Sequence, residues 1–443
     1  MLKFIKSLYL SERLFIILLS FVVAFIVAFL VPPIFILLKF AFLLFLLAVF
    51  FDGLLLYLTN GIHADRLLPE KFSNGDENPV HIIFENRYAF PVNLRVIDEI
   101  PFQFQIRDFL FKAKLKSGET KDYVYQIRPT KRGTYQFGQL NVYAESVLGL
   151  IRRKFVFAKG KNIAVYPSFL QLHKYDLRAF RHQLQDYGLK RIRRIGHTME
   201  FEQIRDYVQG DDIRNLNWKA TAKRRHLMVN QFQDERAQPI YSVIDKGRVM
   251  KMPFNGLSLL DYAVNASLVI SNVALQKNDK AGLFTFSRKV ENRIAAERRK
   301  SQMQLILETL YNIRTDFSES DFGRLYADIR RNINQRSLFF LYTNFENLDS
   351  LNRQLPYLTA IAKSHLLIVV LFKNVELKNL IQQKAQNTRE IYHKVISEKF
   401  DFDKKLIVNE LKKHGIQAIL TEPENLTINT INKYLELKAR GAV

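Results

Sequence analysis

The sequence has no cysteine and a single tryptophan, Trp218, among its 443 residues. Without cysteine the chain can form no disulfide, no thiolate metal site and no thiol nucleophile. It also lacks the Gly-x-x-x-x-Gly-Lys-Ser/Thr phosphate loop, the Gly-x-Ser-x-Gly nucleophile turn and the His-Glu-x-x-His zinc motif. His197, His226 and His365 are isolated, and an isolated histidine is more often structural than catalytic. The sequence therefore offers no catalytic residue and no cofactor, and it favours a non-enzymatic protein.

Acidic residues are too few to balance the basic ones. Lys and Arg number 66 and Asp and Glu number 43, so the formal net charge is +23. A surplus of this size favours anionic partners, which include lipid headgroups, nucleic acid and acidic proteins. The charge alone does not choose among them.

Two long apolar runs lie near the N-terminus, from Leu14 to Val31 and from Ile34 to Leu58, with two prolines between them. Each run is close to the roughly 20 residues that a helix needs to cross a bilayer. No small-residue cleavage site separates the runs, so they predict a transmembrane helical hairpin, over about 14–31 and 34–58, rather than a signal peptide. Lys39 and Asp52 interrupt the second run, and we expect them to snorkel toward the interfaces.

Basic residues flank the predicted hairpin on the side of both termini, whereas its tip carries no charge. The positive-inside bias therefore predicts a multi-pass protein of the inner (plasma) membrane with its soluble domains in the cytoplasm. The flanking basic residues are Lys3, Lys6, Arg13, Arg66 and Lys71.

Short alternating stretches follow between residues 61 and 167. They are bounded by turn-forming segments such as 73–76 and 116–119, and strands at this spacing predict an immunoglobulin-like β-sandwich that serves for interaction or spacing. The predicted strands cover residues 80–84, 92–96, 123–127, 140–143 and 163–166.

Residues 168–200 form a basic connector that includes Arg178, Arg181 and Lys190. Close to a bilayer such a cluster could bind anionic lipid, at roughly 1 kcal/mol per cation. Aromatic residues are sparse in the connector and no nucleic-acid fold signature accompanies it, so nucleic acid is the less favoured ligand.

The densest polar chemistry lies in a signature segment over residues 201–235. A helix is expected from about Ile213 to Lys223, with Asp212 as its N-cap. We expect this segment either to contact a partner or to join two domains through an ionic network. The candidate residues for these roles are Arg205, Tyr207, Gly210, Asp211, Asp212, Arg214, Trp218 and Lys219.

The pattern Arg205-x-Tyr-x-x-Gly-Asp-Asp-x-Arg214-x-x-Asn-Trp-Lys-Ala resembles the signature of a bacterial family of membrane-anchored proteins of unknown function. The similarity extends upstream to residues 128–138 and 147–150. The resemblance implies a von Willebrand factor A-like domain and a functional association with MoxR-type AAA ATPases.

Continuous apolar strands alternate with helices over residues 236–443, which predicts a mainly parallel sheet covered on both faces, a three-layer Rossmann-like α/β domain. This architecture agrees with the von Willebrand A-like domain that the resemblance implies. We also expect the stretches 227–232 and 240–244 to pair as neighbouring strands.

The same resemblance implies a magnesium site built from an Asp-x-Ser-x-Ser loop, a threonine of a second loop and a later aspartate. Here the positions of the first loop and of the later aspartate hold Asp245, Gly247, Val249 and Asn344, and the candidates for the second loop are Thr315, Ser318 and Ser320. One carboxylate beside two cations, Lys246 and Arg248, is a poor set of ligands for a hard divalent ion. We therefore expect a degenerate site without metal; in one arrangement that the sequence allows, Lys246 or Arg248 pairs with Asp245.

The sequence thus predicts a membrane-anchored adaptor that works with a MoxR-type AAA ATPase in the assembly or maturation of protein complexes. One alternative is a membrane scaffold whose basic connector binds lipid or nucleic acid. A second is an enzyme that uses Asp211 and Asp212 for acid and base chemistry.

Overall fold

The computed structural model describes residues 6–29, 32–106, 109–158, 160–170, 199–209, 211, 213, 216–234, 237–382 and 387–441. Most of the basic connector, from residue 171 to residue 198, lies outside the described residues. The same holds for five residues of the signature segment: Gly210, Asp212, Arg214, Asn215 and Glu235. The chain divides into two compact units, Met1–Tyr166 and Pro167–Val443.

The first unit begins with a short strand and two helices: β1 (Leu8–Leu10), α1 (Glu12–Ala28) and α2 (Pro32–Tyr57). The hydroxyl of Ser11 accepts a hydrogen bond from the Leu14 amide and so caps α1. Among the described residues one helix, spanning Pro33–Tyr57, is long and apolar enough to cross a membrane. By length and composition it can act as a membrane anchor or as a signal sequence. The second crossing, by α1, stays a prediction.

Ten further strands complete the first unit. They are β2 (Ile62–Leu67), β3 (Lys71–Ser73), β4 (Asn78–Asn86), β5 (Val92–Asp98), β6 (Leu110–Leu115), β7 (Thr120–Ile127), β8 (Gly133–Phe137), β9 (Leu140–Glu145), β10 (Ile151–Phe157) and β11 (Lys161–Tyr166). Strands occupy all five stretches for which the alternating pattern predicts them.

The strands form three sheets, with the orders β1-β10-β9-β5-β6, β2-β4-β7 and β3-β11-β8. All three contribute to one apolar core. In β4 the side chains of Val80, Ile82 and Phe84 are fully buried, whereas the residues between them are partly exposed. This period-2 alternation places one face of the strand on the core.

Asp52 departs from the snorkelling expected of it. Its carboxylate is fully buried. Asp52 Oδ2 accepts hydrogen bonds from the backbone amides of Leu150 (3.0 Å) and Ile151 (2.9 Å), and Asp52 Oδ1 accepts one from the Ser146 hydroxyl. The expectation was wrong because these partners lie almost a hundred residues away in the sequence, where periodicity within the apolar run gives no sign of them.

The second unit carries the remaining elements. Its strands are β12 (Met199–Asp206), β13 (Met228–Asp234), β14 (Pro239–Asp245), β15 (Pro253–Phe254), β16 (Leu257–Ser258), β17 (Lys280–Phe286), β18 (Val290–Glu297), β19 (Leu338–Tyr342), β20 (Leu366–Phe372) and β21 (Gln417–Thr421). Its helices are α3 (Trp218–Arg224), α4 (Leu259–Gln276), α5 (Gln302–Tyr311), α6 (Phe322–Asn332), α7 (Leu348–Ser364), α8 (Val375–Gln382), α9 (Thr388–Lys413) and α10 (Leu426–Ala439).

Six of these strands form one sheet in the order β18-β17-β14-β19-β20-β21. All neighbouring pairs are parallel except β17 with the edge strand β18. In β14, Ile240 and Ile244 belong to a core shared with α4, α5 and α10, whereas Tyr241 and Val243 belong to a second core shared with α6, α7 and α9. Helices therefore cover both faces of a mainly parallel sheet.

The expected pairing of residues 227–232 with residues 240–244 is wrong. β13 pairs with β12 in antiparallel register, from Met199 opposite Asp234 to Asp206 opposite Met228. β14 instead lies between β17 and β19. Every residue of β14 is buried, so the strand fits the centre of the sheet, where both of its edges are used by parallel neighbours.

Candidate functional site

The signature segment folds as a hairpin of β12 and β13 with α3 in the connection between them. The backbone amide of Tyr207 donates to the Leu227 carbonyl at 2.9 Å, which continues the ladder beyond the strands. Leu216 forms an antiparallel bridge with Val229. The polypeptide on both sides of α3 is thus fastened to the strands, and we call this structure, residues 199–234, the signature hairpin.

An ion pair holds the turn that follows β12. Arg205 Nη2 lies 2.6 Å from Asp211 Oδ1, and Asp211 Oδ2 accepts a hydrogen bond from the Val208 amide at 2.9 Å. These bonds lower the pKa of the Asp211 carboxyl, with the hydrogen bond from Arg205 as the largest cause. A carboxylate whose oxygens are both engaged and whose pKa is lowered suits a structural role better than general acid catalysis.

The helix expected from Ile213 begins five residues later, at Trp218, and its N-cap is Asn217. Asn217 Oδ1 accepts from the Ala220 amide at 3.0 Å, and Asn217 Nδ2 donates to Asn230 Oδ1 at 2.8 Å. Leu216 forms an antiparallel bridge with Val229 of β13, and the helix starts after this bridge. Asp212, the expected cap, lies outside the described residues.

Two residues that sequence reasoning missed, Asn217 and Thr221, fasten α3 to β13. The Thr221 hydroxyl accepts a hydrogen bond from the backbone amide of Met228 at 2.9 Å. The backbone amide of Asn217 donates to the Met228 carbonyl at 2.9 Å. An asparagine directly before a helix is a recognised capping signal, and it would have identified Asn217. No comparable signal in the sequence marks Thr221.

The signature hairpin exposes large apolar side chains, whereas the polar side chains of Arg205, Asp211 and Asn217 are engaged in contacts within the hairpin. The Trp218 side chain is 68% exposed. Basic side chains of α3 and its C-terminal end, among them Lys219 and Arg225, are also exposed. We call this surface the hairpin patch; its apolar members are Ile204, Val208, Ile213, Trp218 and Leu227. Of the predicted site residues, the structure gathers Arg205, Tyr207, Asp211, Trp218 and Lys219 on this hairpin.

A second group of predicted residues meets where β14 and β19 end. Asp245, Val249 and Asn344 line one cavity of about 120 Å³, and Gly247 lies next to Asp245. The carboxyl ends of parallel strands meet at this edge, which is why residues almost a hundred positions apart come together.

Asp245 is buried and is held by uncharged donors rather than by a cation. Its Oδ2 accepts from the Thr343 hydroxyl at 2.6 Å, and its Oδ1 accepts from the Gly247 amide at 2.8 Å and from the Ser320 hydroxyl. Burial raises the pKa of the Asp245 carboxyl, although these hydrogen bonds oppose the shift. The expected pairing with Lys246 is wrong, because Lys246 Nζ lies 2.7 Å from Glu291 Oε2.

The glycine at position 247 has a steric cause. A Cβ atom there would lie 2.2 Å from Ser320 Oγ and 2.9 Å from the Ser318 carbonyl oxygen. Ser320 thus occupies the space that a side chain at position 247 would need, and its hydroxyl reaches Asp245 from another loop. The serine that the family pattern places in the first loop is sterically excluded here.

Asn344 is engaged as well, because Lys404 Nζ donates to its Oδ1 at 2.5 Å. The donor set around Asp245 is therefore one carboxylate that already accepts three hydrogen bonds, two hydroxyls and an amide oxygen bound to an ammonium group. Hard divalent cations need several oxygen ligands with sufficient negative charge, and these residues do not fit one. Within the described part of the chain, no three His, Asp or Glu residues cluster as metal ligands would.

Comparison with known proteins gives a partial match to one family and no activity. Residues 203–380 match the family described as "Protein of unknown function DUF58". The chain is 28% identical over 217 residues to the uncharacterized protein YeaD of Bacillus subtilis, and the match covers 47% of this chain and 54% of YeaD. The chain thus spans about half the length of this curated relative. These similarities support a relationship to an uncharacterised bacterial family.

Similarities to solved structures are weak. The PapD-like domain 7 of human CEP192 is 11% identical, with a TM-score of 0.19 over 24% of this chain and 86% of that domain. The CARDB domain of PF1109 from Pyrococcus furiosus is 11% identical, with a TM-score of 0.17 over 24% of this chain and 91% of that domain. Proximal thread matrix protein 1 from the mussel byssus is 9% identical, with a TM-score of 0.26 over 46% of this chain and 47% of that protein.

Proposed function

We propose that this chain is a non-enzymatic adaptor, anchored in the plasma membrane, that binds a protein partner through the hairpin patch. The observation that carries the proposal is the exposure of Trp218 and its apolar neighbours on a hairpin that is held together by the Arg205–Asp211 ion pair and by the Asn217 cap. Exposed apolar groups rimmed by charge mark interaction sites, and tryptophan is enriched among the residues that dominate binding energy.

Membrane anchoring by a two-helix hairpin is supported by the contacts at both ends of the helices. Before α1, β1 pairs with β10. After α2, Arg153 of β10 donates hydrogen bonds to the carbonyls of Leu56 (2.6 Å) and Thr59 (2.7 Å). The chain therefore leaves and re-enters the same β-domain, as two successive crossings require. With the flanking basic residues, this arrangement favours soluble domains in the cytoplasm.

The finer fold assignments belong to the same proposal. We assign the β-domain to an immunoglobulin-like sandwich because its three sheets enclose one core. We assign the second unit to a Rossmann-like, von Willebrand A-like domain because its parallel sheet carries helices on both faces. The hydrogen-bonded state of Asp245 supports a form of that domain that works without metal.

The partner that we propose is a MoxR-type AAA ATPase, which would supply the ATP hydrolysis that this chain lacks. The choice of this partner rests on the resemblance of the signature segment to the membrane-anchored family. The charge of the hairpin patch adds a chemical requirement. Lys219, Lys223, Arg224 and Arg225 lie beside Trp218, so the complementary surface should be acidic with an apolar recess.

The test compares two variants of exposed aromatic residues in the second unit. Full-length protein in lipid nanodiscs is immobilised, and the Kd for a MoxR-type ATPase from the same organism is measured. Trp218→Ala should weaken binding by about 30-fold, the effect of losing a hot-spot residue of about 2 kcal/mol. Tyr392→Ala, which removes a side chain that is 66% exposed on α9, is the matched control and should change the Kd little.

The salt dependence of the Kd distinguishes this proposal from the binding of lipid or nucleic acid by the basic connector. Association driven by counterion release weakens steeply with salt, whereas a packed apolar interface is less sensitive. Equal affinities of the Trp218→Ala and wild-type proteins would contradict the hairpin patch as the contact surface.

A further inference from the structure

A mainly apolar cavity of the second unit lies beside the Asp245 cluster and is lined by no residue of the signature hairpin. Its volume is about 360 Å³. Asn344 after β19, Phe372 at the end of β20 and Pro423 after β21 contribute to its wall. The carboxyl edge of a parallel sheet is where ligands bind in open α/β folds.

The lining of the cavity suits a small apolar molecule. Phe254, Leu259, Leu377 and Phe400 contribute side chains to it, together with Phe372. Small-molecule sites are typically cavities of about 300–1,000 Å³ with mostly apolar walls and a few polar groups that orient the ligand. This cavity has both the size and the composition of such a site.

Lys404 supplies the orienting polar group. Its ammonium donates to Asn344 Oδ1 at 2.5 Å and to the Phe345 carbonyl. An ammonium has three donors, so one hydrogen bond is available to a ligand. Burial lowers the pKa of Lys404 from 10.5 to about 8, while the charge of Glu346 opposes the shift.

Charged groups other than Lys404 also line the cavity. Asp401 is paired with Lys373 at 3.4 Å and with Lys405, which lies outside the lining, at 2.8 Å. Glu346 is the other acidic group that lines the cavity. Because Asp401 is held by these two lysines, the ammonium of Lys404 stays available to a ligand.

We infer that this cavity binds a small apolar carboxylic acid, whose carboxylate accepts a hydrogen bond from Lys404 and whose hydrocarbon part packs against the phenylalanine rings. Such binding is independent of the adaptor role, because Lys404 and the cavity walls take no part in the signature hairpin.

The experiment titrates full-length protein in lipid nanodiscs with 3-phenylpropanoate and with the neutral analogue 3-phenylpropan-1-ol, and it subtracts the heat measured with empty nanodiscs. The acid should bind at least about tenfold more tightly than the alcohol, because only the acid forms a charge-assisted hydrogen bond. In Lys404→Met, which keeps the apolar stem of the side chain, this preference should vanish. In Leu377→Trp, which fills the cavity, neither compound should bind.

The pH dependence follows from the titration of the lysine. Below about pH 8 the Lys404 ammonium is charged and the acid binds. As the pH rises through that value the amine loses its proton and the affinity for the acid should fall, while that for the alcohol should stay constant. The other charged groups that line the cavity are Glu346, Lys373 and Asp401.

A labelling experiment on the wild-type protein keeps the inference testable if Lys404→Met fails to fold. Acetylation by an N-hydroxysuccinimide ester at about pH 8 is followed by peptide mass spectrometry. The inference requires 3-phenylpropanoate to protect Lys404 while the exposed Lys405 stays reactive. Equal binding of acid and alcohol, undiminished binding of the acid to Lys404→Met, absence of binding to the wild type, or unprotected Lys404 would each overturn it.

Discussion

Asp52 in α2 accepts a hydrogen bond from the backbone amide of Ile151 at the start of β10, at 2.9 Å. This contact, with those of the same carboxylate to Leu150 and Ser146, fixes the apolar helix to the β-domain within the first unit. The glycine in the connecting loop, Gly149, has a φ of +67°, a backbone conformation that glycine adopts without strain. An acidic residue inside an apolar helix thus serves as an attachment point for a loop of the folded domain.

Asp52→Ala should loosen this attachment. The substitution leaves two buried amides, those of Leu150 and Ile151, without their acceptor, and each such group costs about 1–3 kcal/mol. Hydrogen exchange of the β10 amides in nanodiscs should accelerate accordingly. Asp122→Ala, at a half-exposed carboxylate paired with His81, is the control and should leave exchange at β10 unchanged. Equal exchange in the two variants would refute the attachment.

Asn217→Ala should destabilise the signature hairpin without removing its exposed surface. Loss of the N-cap costs about 1 kcal/mol, and the hydrogen bond to Asn230 is lost too. Exchange of the amides of α3 and β13 should therefore accelerate. Trp218→Ala, one residue along, removes an exposed side chain and should change stability by less than about 0.5 kcal/mol. A larger effect on stability from Trp218→Ala than from Asn217→Ala would contradict this description of the hairpin.

Gly247→Ala should destabilise the second unit. The new methyl group would overlap Ser320 Oγ and crowd the Ser318 carbonyl, and overpacking of this kind typically costs about 1–3 kcal/mol. Ser320→Ala alone should also destabilise, because it removes a hydrogen bond to Asp245, but the double variant should lose less stability than the sum of the two single variants, because Ser320→Ala removes the nearer obstacle. Thermal unfolding of the single and double variants measures the coupling. Strictly additive effects would show that Ser320 does not fill the space beside position 247.

Asp245→Asn should change the pH dependence of stability in a defined direction. Burial raises the pKa of Asp245 in the folded protein above its unfolded value, so the folded state holds the proton more tightly. The resulting stabilisation is fully present below the unfolded pKa of about 3.9 and is lost as the pH rises through the folded pKa. The stability of Asp245→Asn relative to wild type should therefore increase as the pH rises above about 4. If the difference in the free energy of unfolding between Asp245→Asn and wild type stays constant or decreases with pH, the raised pKa of Asp245 is contradicted.

The sequence predicts elements well where the signal is local. The strands predicted over residues 80–84 and 92–96 form within β4 and β5, because the alternation of apolar and polar residues that indicates them lies within each segment. The pairing of strands depends on residues that are distant in the sequence, and it is not predicted. The partner of β13 precedes α3 in the sequence, and β14 takes two parallel neighbours from further along the chain.

In the candidate sites, too, the sequence predicts the local features and misses the long-range contacts. The signature segment is visible as a dense pattern of polar residues, and its ion pair joins residues six positions apart. The contacts of Asp52, and those of Asp245 with Ser320 and Thr343, join residues 75 to 99 positions apart. The sequence offers Ser320 as a candidate of the second loop but does not predict its contact with Asp245. Neither periodicity nor composition reports such distances, so the burial of Asp52 and the pairing of Lys246 with Glu291 emerge only from the folded chain.

The most direct test of the adaptor account uses the single tryptophan. Incorporation of 5-fluorotryptophan places one ¹⁹F label in the full-length protein, at Trp218, and its resonance is followed in nanodiscs. The account predicts a solvent-exposed label whose resonance shifts or broadens when an unlabelled MoxR-type ATPase is added and stays unchanged when anionic lipid vesicles are added. A resonance that the ATPase leaves unchanged, or one that responds to the vesicles alone, would contradict the claim that the signature hairpin binds this protein partner.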